Sequence, residues 1–178
     1  MIDEKRVNEA KSNVNVYLRE GILKKVEIKD ENILKILKKN CDESLSIAEL
    51  IFNGNHSNLW TIVCSYYAMY YIANAVLYNF SYKVGDKVSH KVTADALIVY
   101  IMGKLKKSLL EDYEEAREEA LILSGNKAEE LIKSFDIERE KRSYFQYTTE
   151  ETAMNGKAKT SLERAKRFVF EMRQMIEG

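Results

Sequence analysis

The sequence predicts an all-α protein, an up-and-down bundle of about five or six helices forming one domain over residues 1–178. The chain contains no Pro and only seven Gly, so the strongest helix breakers are absent or rare. Apolar residues recur at three- and four-residue spacing along most of its length, and no segment shows the period-two alternation of a half-buried strand. Hydrophobic residues make up 46% and charged residues 31%, a balance that builds a core and excludes a disordered chain. At 178 residues there is material for one ordinary domain, and no repeat, low-complexity tract or linker divides it. Twenty-eight basic residues balance twenty-eight acidic ones, so contact with nucleic acid must come from a local patch and not from net charge.

The first helix is expected from about Asp3 to Glu20, where Val7, Ala10, Val14, Tyr17 and Leu18 recur on one face and Gly21 stops the pattern. Ile22 to Lys29 reads as a connector. Asp30 is placed to cap a second helix reaching Phe52, with Ile33, Leu34, Leu37, Cys41, Leu45 and Ala48 on its stripe, ended by Asn53-Gly54-Asn55. Ser57 caps a third helix running to about Phe80. It is apolar on every side, as a central element is, and Thr61, Ser65, Ala68 and Ala75 leave room for close packing. After a loop containing Gly85-Asp86, Ser89 is expected to cap a fourth helix carrying Ala94, Leu97, Ile98 and Ile101 up to Gly103. Glu111 to Glu119 then holds six acids and one Arg, read as a solvated helix face. Ser124-Gly125-Asn126 interrupts, Thr148 to Asn155 reads as a loop, and a last helix spans about Gly156 to Ile176. That helix has Leu162, Ala165, Phe168, Val169 and Met172 on one face and Lys157, Lys159, Arg164, Lys166, Arg167 and Arg173 on the other.

Leu59 to Phe80 has no charged residue over a length that would span a bilayer. Its content argues otherwise, because Ser65, Tyr66, Tyr67, Tyr70, Tyr71 and Asn74 fill the middle, and membrane helices keep tyrosines at their interfaces. The expected setting is therefore the interior of a bundle, with no membrane. The N-terminus has no secretory hydrophobic stretch, which with only two cysteines points to a reducing cytoplasm. No Walker loop, GxGxxG or HExxH occurs, and two His and two Cys without close pairing imply no metal centre and no cofactor. Cys64 lies in the most apolar helix, where a thiol is ordinarily inert packing.

The more informative segment is Phe135 to Tyr147. If a helix beginning near Lys127 continues, its apolar line through Ala128, Leu131, Ile132 and Phe135 runs on to Arg139, Arg142 and Gln146. A stripe that turns cationic either pairs with buried acids or lines a cleft that meets a phosphate.

The Tyr-rich SYYAMYYIANAVL (Ser65–Leu77), the loop ending in Ser89-His90-Lys91 and the Arg-x4-Tyr element from Arg142 to Tyr147 together resemble the HEPN superfamily, the nucleotide-binding domains of higher eukaryotes and prokaryotes. The similarity covers about Asn32 to Tyr147. It implies a compact helical bundle that dimerises, with its Arg-bearing helices facing one another across a cleft. It also implies toxin–antitoxin systems with a minimal nucleotidyltransferase partner, and in many members metal-independent ribonuclease activity through an Arg-x4-6-His motif. This chain has no His after Arg142, and Tyr147 stands where the motif allows one. Free tyrosine, with a pKa near 10, is a poor general base.

The expected function is accordingly a noncatalytic or weakly catalytic nucleotide- or RNA-binding domain, using Arg139, Arg142, Gln146 and Tyr147 as ligand contacts and acting as a homodimer. One alternative is a metal-independent endoribonuclease with Arg142 on the phosphorane and His90 in place of the missing His. Another is a structural module that docks a partner protein. His90 also has a simpler expected part, bracing the junction at the start of the fourth helix.

Overall fold

The computed structural model describes residues 2–85, 88–136 and 144–177, with side chains described outside 126–153. Among the described residues six helices form an all-α bundle: α1 (Glu4–Arg19), α2 (Glu31–Asn53), α3 (Asn58–Asn79), α4 (Ser89–Tyr100), α5 (Lys107–Asp136) and α6 (Tyr144–Glu177), with a 3-10 turn at Met102–Lys104. α3 is the axis. α2 and α6 pack along it, α4 and α5 close the remaining sides, and α1 lies on α4. Most of the 22 residues of α3 are buried, and the small residues Thr61, Ser65, Ala68 and Ala75 are fully enclosed. No helix among the described residues is long and apolar enough to cross a membrane.

The helix ends follow from local chemistry. Side chains of Asp3, Asp30 and Ser57 accept from the backbone N–H of Arg6, Asn32 and Trp60, as caps do. α1 ends in a Schellman turn: Ile22 N–H donates to the Tyr17 carbonyl at 2.9 Å, and Gly21 supplies the left-handed residue at φ 69°. α2 ends in the same way, with His56 N–H on the Ile51 carbonyl at 3.0 Å. There the left-handed residue is Asn55 at φ 52°, not its neighbour Gly54. α4 differs from expectation. Ser89 is its first residue and not its cap, and the cap position is held by Val88 in the left-handed region at φ 44°, without a side-chain hydrogen bond. A β-branched residue is strained there.

The connector after α1 contains a strand that the sequence reading did not include. β1 (Leu23–Lys25) pairs antiparallel with β2 (Tyr82–Val84) in the register Leu23 with Val84, Lys24 with Lys83 and Lys25 with Tyr82. Three residues are too few for an alternating pattern to register, but Leu23 is fully buried and Tyr82 stacks on Tyr100 with ring centres 3.8 Å apart. Gly85 closes the ribbon with its N–H on the Ile22 carbonyl at 2.8 Å, and a Cβ added there would meet that same oxygen at 3.0 Å.

Two further expectations are corrected. α5 runs through Ser124-Gly125-Asn126, where the Ser124 hydroxyl bonds the Leu121 carbonyl within the helix. α6 begins twelve residues before Gly156, so Thr148 to Asn155 is helical. Without proline, a glycine inside a helix costs only about 1 kcal/mol and is tolerated. The expected continuation of the helix from Lys127 to Gln146 passes through residues 137–143, which lie outside the described residues.

The acidic run of α5 is not simply a solvated face, since it meets the basic face of α6. Arg164 pairs with Glu115 at 2.7 Å and with Asp112 at 3.4 Å, Arg167 pairs with Asp112, and Ser161 donates to Glu119 at 3.1 Å. Glu114 turns the other way, to Arg6 at 2.6 Å. Arg6 also pairs at 2.7 Å with Asp95, a wholly buried carboxylate that accepts from Tyr17 Oη and Asn13 Nδ2 at 3.0 Å each. Burial opposes the charge on Arg6, and hydrogen bonds to Glu114 and Asp95 more than offset it, raising its pKa. This cluster ties α1, α4 and α5 together at one point.

Candidate aromatic binding face

Of the residues the sequence singled out, Arg139 and Arg142 lie outside the described residues, as do the side chains of Gln146 and Tyr147. His90 is described, in the first turn of α4 against the tyrosines of α3. The geometry that can be built into a site therefore centres on His90.

α3 places Tyr66, Tyr67, Tyr70 and Tyr71 within two turns, so they fan over adjacent faces of one helix. Tyr66 and Tyr70 point toward α4. The His90 ring lies 4.6 Å from Tyr70, 5.5 Å from Tyr66 and 5.8 Å from Tyr67, centre to centre. Tyr67 meets both His90 and Tyr70 edge-on, at 82° and 80°. Such tilted and edge-on contacts hold the rings in fixed attitudes. Tyr66 is buried and rests on Tyr113 of α5, whereas Tyr67 is 36% exposed and Trp60, two turns earlier, is 54% exposed. The outcome is a row of aromatic rings, anchored below and open above.

The Tyr66 hydroxyl lies 2.7 Å from His90 Nδ1. Burial pushes the Tyr66 phenol far above its ordinary range, so it bonds the His90 ring as a neutral hydroxyl. Burial, and then the positive charge of Arg117, hold the His90 imidazole below its usual pKa, so it is neutral near pH 7. His90 thus braces the α3–α4 junction.

Arg117 is the cation that sequence reasoning passed over, counted only as the single base in an acidic run. Its charge is felt at His90, Tyr66 and Tyr113. Its side chain is only 15% exposed, its nearest carboxylate is Glu118 at 3.9 Å, and Nη1 is buried with no hydrogen-bond partner among the described residues. Among the described residues this guanidinium has only that one long ion pair, in a largely sheltered position. A lone Arg among six acids, one and two turns from Tyr113 and Leu110, was the only trace of it in the sequence.

Beside the aromatic row, a cavity of about 310 Å³ is lined by Tyr70, Tyr71, Asn74, Tyr78 and Ser89 together with β2. Among the described residues no group of three or more His, Cys, Asp or Glu side chains is arranged to hold a metal ion. Cys41 is buried with its thiol pushed up to about 11 by burial, and burial raises Cys64 as well, so neither is an activated nucleophile. The chain matches no family model, no curated protein and no solved structure.

Proposed function

We propose that the chain is a HEPN-like domain that binds a nucleotide or single-stranded RNA on the Tyr67–Tyr70–His90 face, with little or no catalysis of its own. The observation that carries this reading is a fixed, partly open set of aromatic rings beside the guanidinium of Arg117, whose carboxylate contact among the described residues is the long one to Glu118. Bases stack on such rings whatever their identity, and a phosphate pairs with the arginine.

The family resemblance adds Arg139, Arg142, Gln146 and Tyr147 as further contacts, a homodimer, and a minimal nucleotidyltransferase as partner. Ile36, Ile47 and Leu50 leave exposed apolar side chains on α2 for a second copy to cover.

The test is fluorescence anisotropy with a labelled single-stranded RNA, comparing wild type with Tyr67→Ala. Loss of one stacked base, worth about 1–3 kcal/mol, weakens binding roughly 5- to 150-fold. Equal affinity for both proteins, or no binding by either, overturns the reading.

A further inference from the structure

The ribbon of β1 and β2 sets Lys24 directly opposite Lys83. Residues opposed in an antiparallel pair project from the same face with Cβ atoms about 5 Å apart, and like charges in that relation repel. Leu23 and Tyr82 on the other face hold the ribbon to the core, so the two lysines are turned to solvent together. Among the described residues neither lysine is paired with a carboxylate. They line a hollow of about 720 Å³ whose single acid among the described residues is Glu20. β2 is also a wall of the tyrosine-lined cavity, and Lys83, Val84 and Gly85 border both spaces. The aromatic face, the cavity and the lysine pair are therefore continuous. From Tyr67 to Tyr78 alone the track covers about 16 Å along α3, more than one stacked base and its phosphate occupy.

Resting on the reading above, we propose that the β1–β2 ribbon is a phosphate clamp and that the ligand is a single strand of RNA. Its bases lie along the tyrosines while Lys24 and Lys83 together hold a backbone phosphate beyond them. The anion relieves a repulsion built into the ribbon, and it lies apart from the phosphate held by Arg117. Lysines on short strands also serve simply to keep ribbon edges from pairing with other chains, and the experiment separates the two roles.

Two probes are used, a labelled hexauridylate and uridine monophosphate, with wild type, Lys24→Gln/Lys83→Gln and Lys83→Glu. The clamp predicts that the double variant binds the hexamer at least tenfold more weakly. Its plot of log affinity against log salt should be shallower by about 0.7, the value of one phosphate contact on a single strand. Binding of the monophosphate is unchanged. Lys83→Glu, which places opposite charges across the ribbon, melts no lower than wild type yet loses hexamer binding, so the loss is not unfolding. Hexamer binding and salt slope equal to wild type in the double variant overturn the clamp while leaving the aromatic reading intact. Failure of wild type to bind either probe overturns both.

Discussion

Replacing Asp95 with Ala tests what locks α4, and with it His90, to the rest of the bundle. The Asp95 carboxylate is fully enclosed, pairs with Arg6 at 2.7 Å and accepts from Tyr17 and Asn13 at 3.0 Å. Removing one member of a buried ion pair costs about 3–5 kcal/mol. Here the lower end applies, because Arg6 keeps Glu114 at 2.6 Å and is 18% exposed. Against this, the Tyr17 hydroxyl is left unpaired in a buried position, which costs about 1 kcal/mol or more. A loss of about 4 kcal/mol follows, or roughly 8–16 °C in Tm for a chain of this size. Thermal unfolding followed by circular dichroism at pH 7 reads it directly. Arg6→Met leaves the carboxylate buried without its cation and is comparably damaging. The double variant Arg6→Met/Asp95→Leu is then less destabilised than the sum of the singles by about 1–3 kcal/mol. A loss below about 1 kcal/mol for Asp95→Ala, or additive singles, refutes the account of this cluster as the joint between α1, α4 and α5.

Two further outcomes are expected. Val88→Asn, at a left-handed cap position that Asn adopts readily and can cap, stabilises the fold by about 1 kcal/mol and raises Tm by roughly 2–4 °C in calorimetry, and a variant no more stable than wild type contradicts the strain assigned to Val88. His90 is held neutral in the fold by burial and then by Arg117, while an unfolded histidine titrates near 6.5, so its contribution is level above that pH and stability falls as the pH drops below it. His90→Gln removes this part of the dependence, and denaturant midpoints at pH 7.5, 6 and 5 that run parallel in the two proteins argue against it.

Much of the architecture was legible along the chain because helix chemistry is local. The caps at Asp30 and Ser57, the Gly21 stop and the uncharged centre of α3 each depend on residues within a turn or two. Where local evidence misled, it did so at weak breakers. Ser124-Gly125-Asn126 and Thr148 to Asn155 resemble loops yet lie inside long helices, since nothing there forbids a helix. The strands were invisible because three residues of β1 acquire meaning only beside β2, nearly sixty positions away. Of the candidate site, His90 and the tyrosines were visible as types, but not that Tyr66 bonds the His90 ring.

By itself, then, the sequence determined an all-α bundle built round a polar-flecked apolar helix, and the lack of a histidine after Arg142. Tertiary structure alone decided which side chains converge: Arg117 beside His90, Arg6 between Asp95 and Glu114, and Lys24 across from Lys83. The physical reason is range. Backbone hydrogen bonding and capping are settled by near neighbours, whereas charge pairing and ring contact depend on groups far apart in the chain, and no spacing records their meeting.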